Sequence, residues 1–199
     1  IPVTGEQLLA PDAVEKLTAT PLPFPLAVKI ESADIPHKTE AGVIRLHINS
    51  LDGLKQAARE VLAAARQYKP DARIAGILVQ QMATGEEVIL GVVNDAHFGP
   101  VVAFGLGGVF TEIMHDVTHR FAPFDAETAK SMIHEIKGVK LLQGYRGKPP
   151  CNIDALADAM ARLSLLAADH ADRIAEIDIN PLFVNASGVI AADALVVLK

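Results

Sequence analysis

Between residues 51 and 68 apolar side chains recur three and four apart. Leu54, Ala57, Ala58, Val61, Leu62 and Ala65 form one stripe, which predicts a helix. Helices are also expected over 125–136 and 153–168, with Asp125 and Asp154 near their starts as caps. A shorter one begins near Asp12 in an otherwise irregular surface segment, 4–17. The runs 26–30, 43–48, 73–82, 87–93 and 101–106 are short and apolar and read as strands. The stretch TPLPFP at 20–25 has too much proline for a helix or a central strand. Strands dominate the middle of the chain and helices interrupt at irregular intervals, without βαβ alternation or repeats. That order points to an α+β fold in two lobes, 1–82 and 83–199, joined near Gln80, Gln81 and Met82.

The segment 176–198 is expected to form strand, turn and strand. Ile177, Ile179, Leu182, Phe183 and Val184 must face a core, while Pro181 belongs at a strand end or edge. The turn is Asn185-Ala186-Ser187-Gly188. The second strand carries a single acid, Asp193, in an apolar run. A charge there is costly unless it is paired or binds a metal. Adjacent antiparallel strands would bring Asn180 and Asp193 close enough to share one hard cation, and Mg²⁺ suits such an oxygen pair. The plainer reading is a hairpin with polar residues at its solvated end.

Composition narrows the classes. The chain has 199 residues and a formal charge of −6, without a lysine- or arginine-rich run, so a nucleic-acid partner is disfavoured. One cysteine, Cys151, has no internal disulfide partner, and nothing near it marks an activated nucleophile. No apolar run has membrane-spanning length, and the cytoplasm is the expected compartment. A chain that starts at Ile1 reads as a fragment or trimmed product.

Four constellations could carry chemistry. Lys29 interrupts an apolar strand, where a buried ammonium needs a partner such as phosphate; an edge strand whose lysine reaches solvent is the alternative. His37 lies among Asp34, Lys38, Thr39 and Glu40 on a loop and could serve as base, ligand or phosphoryl acceptor, or as a plain surface histidine. Gly105, Gly107 and Gly108 let backbone N–H groups approach a ligand, although the spacing is neither a Walker loop nor a dinucleotide fingerprint. Glu87 opens the strand after the interlobe junction. Glu112, His115, Asp116, His119 and Arg120 have metal-ligand side chains without a tight zinc spacing, so a solvated polar loop is the ordinary reading; Arg120 suits a phosphate contact.

Taken in order, the lysine strand, SADIPHKTEAGV, GILVQQMATGEEVILGVV, FGLGGVFTE, LLQGYRG and EIDINPL resemble the ATP-grasp domain of the NDP-forming acyl-CoA synthetases, relatives of the succinyl-CoA synthetase β subunit. The resemblance runs through nearly the whole chain. It implies ATP or ADP between two lobes, Lys29 holding the phosphates, and the backbone of Gln80, Gln81 and Met82 meeting adenine. It further implies Glu87 on the nucleotide side, Gly107 and Gly108 facing the phosphates, Asn180 and Asp193 binding Mg²⁺, and Glu112 as a further metal or phosphate ligand. His37 resembles a histidine that relays a phosphoryl group from a partner's phosphohistidine to ADP. The implied reaction is acyl-CoA + ADP + phosphate ⇌ carboxylate + CoA + ATP. The CoA-binding domain and the ligase domain that it needs are absent from this chain, so they must belong to an α subunit or to the same polypeptide; an oligomer is expected for the full enzyme. One departure is Ala41-Gly42-Val43, with alanine where the family often has a second glycine. Two other readings stand beside this one. One is a non-catalytic sensor of the kind fused to protein acetyltransferases; the other is an ATP-grasp ligase joining a carboxylate to an amine or thiol.

Overall fold

The computed structural model describes residues 1–20, 22–35, 38–108 and 116–199. The chain divides into two compact units, one formed by Thr4–Met82 and the other by Ile1–Val3 with Ala83–Lys199. The division at Met82 is near the expected junction. The first three residues belong with the second unit, because the Ala191 N–H donates to the Pro2 carbonyl at 2.8 Å and Val3 bridges to Ala191.

The Thr4–Met82 unit is a four-stranded antiparallel sheet with helices on one face. Its elements are β1 (Glu6–Leu9), α1 (Pro11–Glu15), β2 (Leu26–Glu31), β3 (Ile44–Ile48), α2 (Leu51–Tyr68) and β4 (Gly76–Gln81), with strand order β1-β4-β2-β3. In residues 4–17, expected as a surface segment with a helix from about Asp12, the helix forms as α1, but Glu6–Leu9 before it is an edge strand. Glu6 pairs with Gln80 and Leu8 with Leu78, an alternation too short to stand out in the sequence. Helix α2 has the predicted bounds; Ser50 caps it by accepting the Gly53 N–H at 3.1 Å. Its apolar stripe packs on Leu26, Val28, Ile30, Ile77 and Val79, all buried. Each such side chain stabilises the unit by roughly 1.5–3 kcal/mol on the transfer scale.

The second unit contains β5 (Glu86–Asp95), β6 (Gly99–Leu106), β7 (Val117–Phe121), α3 (Ala126–Glu135), α4 (Val139–Leu142), α5 (Ile153–Asp169), β8 (Ile174–Asn185), β9 (Gly188–Ala191) and β10 (Ala194–Leu198). Its sheet runs β10-β8-β5-β6-β7, with β9 also paired to β8. Helices α3 and α5 cover one face through Met132, Ile133, Leu156 and Met160 against Val88, Leu90, Phe104, Ile177 and Leu182. The opposite face carries Glu87, Ile89, Asp178 and Asn180 by strand alternation.

Residues 117–121, read as a polar loop, form β7 at the sheet edge, where polar side chains are tolerated. The expected strand 189–198 is broken at Ala192-Asp193, so Asp193 lies between β9 and β10 rather than inside a strand. Of the two expected caps, Asp125 accepts the Thr128 N–H at 2.9 Å. Asp154 does not cap; Asn152 does, accepting the Ala155 N–H at 2.9 Å, and Asp154 pairs with Lys130 at 3.0 Å.

Candidate functional site

In the first unit Lys29 sits at the middle of β2, between Leu78 and Ile44 in register, and is only 3% exposed. Alternation puts it on the face turned away from α2, since Val28 and Ile30 fill the helix-side core. Ala27 and Gln80 share that face and are also buried. The Gln80 side chain is occupied across the strands, its Nε2 donating to Glu6 Oε2 at 3.0 Å. The next two backbone donors serve the unit itself: the Gln81 N–H bonds to the Gly5 carbonyl at 2.8 Å and the Met82 N–H to the Pro25 carbonyl at 3.2 Å. Both N–H groups are thus engaged within the unit. His37 lies outside the described residues. Beyond it, the Val43 N–H donates to the Lys38 carbonyl at 3.0 Å, and Ala41, the departure noted above, is buried in the core of the unit.

In the second unit the glycine turn and Glu87 come together. The Gly107 N–H donates to the Glu87 carbonyl at 2.7 Å. A Cβ on Gly107 would lie 2.9 Å from Glu87 Cβ, so only glycine lets β5 and the end of β6 approach this closely. Gly108 takes φ +62°, and its Cα lies beside the Glu87 carboxylate: a Cβ there would be 3.5 Å from Oε2. A cavity of about 300 Å³ opens at this point, lined by Gly85, Glu86, Glu87, Gly107, Gly108 and the leucines Leu106 and Leu141. Lys148 closes one side through an ion pair with Glu86 at 2.6 Å.

Asn180 and Asp193 face each other. Ala194 pairs with Ile179 and Leu182 with Ala191, and between them the Asn180 N–H donates to the Asp193 carbonyl at 3.2 Å. The Asp193 Oδ1 accepts the Ala194 N–H at 3.1 Å. Asn180 lies beside Ile89, because Val88 pairs with Leu182 and Leu90 with Ile179. Ile89 is two residues along β5 from Glu87, about 7 Å. Glu87, Asn180 and Asp193 thus lie on neighbouring backbone stretches of the second unit's sheet. Among the described residues no group of three or more His, Cys, Asp or Glu could hold a metal. The Asn180–Asp193 pair is a different kind of donor set, one carboxylate and one amide, which a hard cation completes with phosphate oxygens and water. Glu112 and His115 lie outside the described residues.

Arg120 and Asp116 do other work. Arg120 pairs with Val102 across the strands and forms an ion pair with Glu135 of α3. That partner lies on the helix-covered face, away from Glu87 and Asn180, so the structure does not bring Arg120 to the glycine turn. Asp116, 8% exposed, accepts the N–H groups of Lys137 and Gly138, each at 2.8 Å. It anchors the start of α4 rather than offering a metal ligand. Cys151 is buried, its Sγ donating to the Val184 carbonyl at 3.3 Å, and burial raises its thiol pKa. It is a core residue, not a nucleophile. Asp116, expected only as a possible metal ligand, is a backbone anchor, and the Lys148–Glu86 pair was not expected. The only signal for the latter was four basic residues without an acid between 137 and 148.

A lysine buried on one sheet, a glycine turn against a glutamate, and an asparagine–aspartate pair on a kinked hairpin are features of one fold class. The chain belongs to the ATP-grasp domain family, whose model matches residues 1–198. It is 42% identical over 198 residues to the β subunit of the ADP-forming acetate–CoA ligase II of Pyrococcus furiosus, covering 98% of this chain and 84% of that protein. Among solved structures it resembles the dinucleotide-forming acetyl-coenzyme A synthetase 1 of Ca. Korarchaeum cryptofilum in complex with coenzyme A and Ca-AMPCP. The TM-score is 0.89 and the identity 38%, with 100% of this chain and 87% of that one covered. A Mg-AMPPCP complex of the same synthetase, with its phosphohistidine segment pointing towards the nucleotide-binding site, matches with TM-score 0.80 and 36% identity, covering 100% of this chain and 86% of that chain. The chain is the ATP-grasp part of an ADP-forming acid–thiol ligase. No helix among its described residues is long and apolar enough to cross a membrane.

Proposed function

We propose that this chain binds a magnesium-bearing adenine nucleotide and exchanges a phosphoryl group between it and a phosphohistidine carried by CoA-binding and ligase domains outside the chain. The overall reaction is acyl-CoA + ADP + phosphate ⇌ carboxylate + CoA + ATP. One observation supports the reading: the Asn180 and Asp193 backbones oppose each other on a hairpin paired with β5, the strand whose Glu87 carbonyl accepts the Gly107 N–H.

Each group has a chemical task in this reading. The turn offers backbone approach to phosphate oxygens without Cβ obstruction. The buried Lys29 ammonium stabilises phosphate charge, the main contribution a protein makes to phosphoryl transfer. Glu87, whose carboxylate lies beside Gly108, accepts hydrogen bonds from nucleotide hydroxyl or amino groups. Asn180 and Asp193 would hold Mg²⁺, which when bound supplies neutralisation of the phosphate oxygens. In the transfer itself the histidine N–P bond breaks as a β-phosphate oxygen of ADP forms the new O–P bond. His37 serves as the relay, accepting the phosphoryl group on an imidazole nitrogen before ADP does. The partner domains reside on an α subunit or on the same polypeptide, and the full enzyme is an oligomer.

Incubating the assembled enzyme with acyl-CoA and phosphate, without nucleotide, tests this reading. Acid-labile, base-stable phosphate should appear and should be discharged by ADP with magnesium; His37→Asn should stop the discharge. Phosphate that forms and discharges normally in His37→Asn would remove the relay. No nucleotide-dependent discharge in the unaltered enzyme would remove the whole reading and favour a sensor.

A further inference from the structure

Residues 137–148, KGVKLLQGYRGK, carry Lys137, Lys140, Arg146 and Lys148 and no acid, in a chain of net charge −6. The structure gathers Lys137, Lys140 and Tyr145 around a cavity of about 350 Å³ whose floor is Leu106 and Leu141. Asp116 also lines it, but both of its oxygens accept backbone N–H groups, from Lys137 and Gly138. The acid therefore holds the lysine-bearing backbone in place while its charge is directed at peptide dipoles. Neither the Lys137 nor the Lys140 ammonium has an ion-pair partner among the described residues. Gly138 packs so closely on the end of β6 that a Cβ would lie 2.1 Å from Leu106 Cδ1. The Arg146 guanidinium lies 5.3 Å from the centre of the Tyr145 ring, which extends the cationic edge outward.

This cavity adjoins the glycine-turn cavity, since Leu106 and Leu141 line both. Lys148 reaches the second one through Glu86. A positively charged arm with an apolar floor and an aromatic ring thus leads up to the phosphate cradle. We infer that the 137–148 arm is the docking surface for the phosphate-bearing histidine segment of the partner, with Lys137 and Lys140 pairing with its phosphoryl oxygens as it approaches the nucleotide. The inference rests on the proposed function. Nucleotide phosphates and inorganic phosphate share the same oxyanion chemistry. The apolar floor and the Tyr145 ring favour a polypeptide, whose side chains can cover them, over a bare anion. Charges at the rim of a docking surface act mainly through encounter, so the effect should be strongly salt-dependent.

The test uses the enzyme assembled with its partner domains and the double variants Lys137→Glu/Lys140→Glu and, as a milder form, Lys137→Gln/Lys140→Gln. Single-turnover transfer from the phosphorylated partner to ADP is measured across ionic strength, and ADP affinity with magnesium by calorimetry on the same samples. Transfer should fall about tenfold or more in the Glu variant and less in the Gln variant, with a flattened salt dependence. ADP affinity should stay within about twofold, and inorganic phosphate should compete poorly with the partner. Unchanged transfer and salt dependence in both variants would sink the inference while leaving the proposed function standing. Loss of ADP affinity in step with transfer would assign the lysines to the nucleotide, and competition by phosphate at its ordinary substrate concentration would assign them to the free anion; either overturns docking. An unaltered enzyme that binds no ADP would remove the proposed function and this inference together.

Discussion

Lys29, 3% exposed, shares its sheet face with Ala27, Gln80, Ile44 and Leu78. Burying an ammonium is costly unless it meets opposite charge or good acceptors, and a nucleotide phosphate supplies both. Lys29→Ala should therefore weaken ADP or ATP binding by about tenfold or more, read by calorimetry; unchanged affinity would remove Lys29 from the site. Asp193→Ala should raise the magnesium concentration needed for half-maximal nucleotide binding by a similar factor, and Asn180→Ala by less, since an amide brings no charge. These residues could be read from the sequence because each is a polar intruder in an apolar run. The structural roles of Arg120 and Asp116 could not. Their partners, Glu135 and the N–H groups of Lys137 and Gly138, lie 15 to 22 positions away and meet them only through tertiary packing. The involvement of the Gln81 and Met82 N–H groups in the sheet was hidden for the same reason: Gly5 and Pro25 are far away in sequence.

Among the elements, α2, α3 and α5 match their expected spans to within about a residue, because an apolar stripe of period 3.6 persists for three turns or more. β1 and β7 escaped notice. Each is four or five residues long and sits at a sheet edge, where exposed polar positions blur the alternation. The hairpin 174–198 was legible as a hairpin but not in its break. Asn180-Pro181 on β8 and Ala192-Asp193 on the other side depart from regular pairing at the same level, and that places the proposed metal ligands where the two backbones leave the ladder. Asn152→Ala removes the side-chain acceptor at the start of α5 and should lower unfolding free energy by about 1 kcal/mol in urea titrations. Cys151, whose thiol pKa is raised by burial, should react with iodoacetamide at pH 8 at least about tenfold more slowly in the folded protein than in the unfolded one. Comparable rates would place the thiol at the surface instead.

For the whole molecule, acid should be the weak point. The Asp34 carboxyl is held well below its ordinary value, first by the Arg73 side chain and then by the Arg73 N–H. Asp125 is lowered by the Thr128 N–H, Asp95 by the amides of His97 and Phe98, and Glu60 by Gln56 and then Arg45. A folded pKa below the unfolded one means that the unfolded chain takes up protons first, near pH 4. Their contribution to stability is present above that pH and is lost as pH falls through it toward the lower folded values. Melting temperature should hold steady from about pH 5 to 7 and drop below about pH 4, and Asp34→Asn should blunt the drop. The central claim is that the chain is a magnesium-dependent nucleotide binder. Calorimetric titration of the folded chain with ADP, with and without magnesium, addresses it most directly. A single saturable site that needs magnesium and is lost in Asp193→Ala is the predicted result; no heat of binding under either condition, or binding indifferent to both magnesium and Asp193, would contradict it.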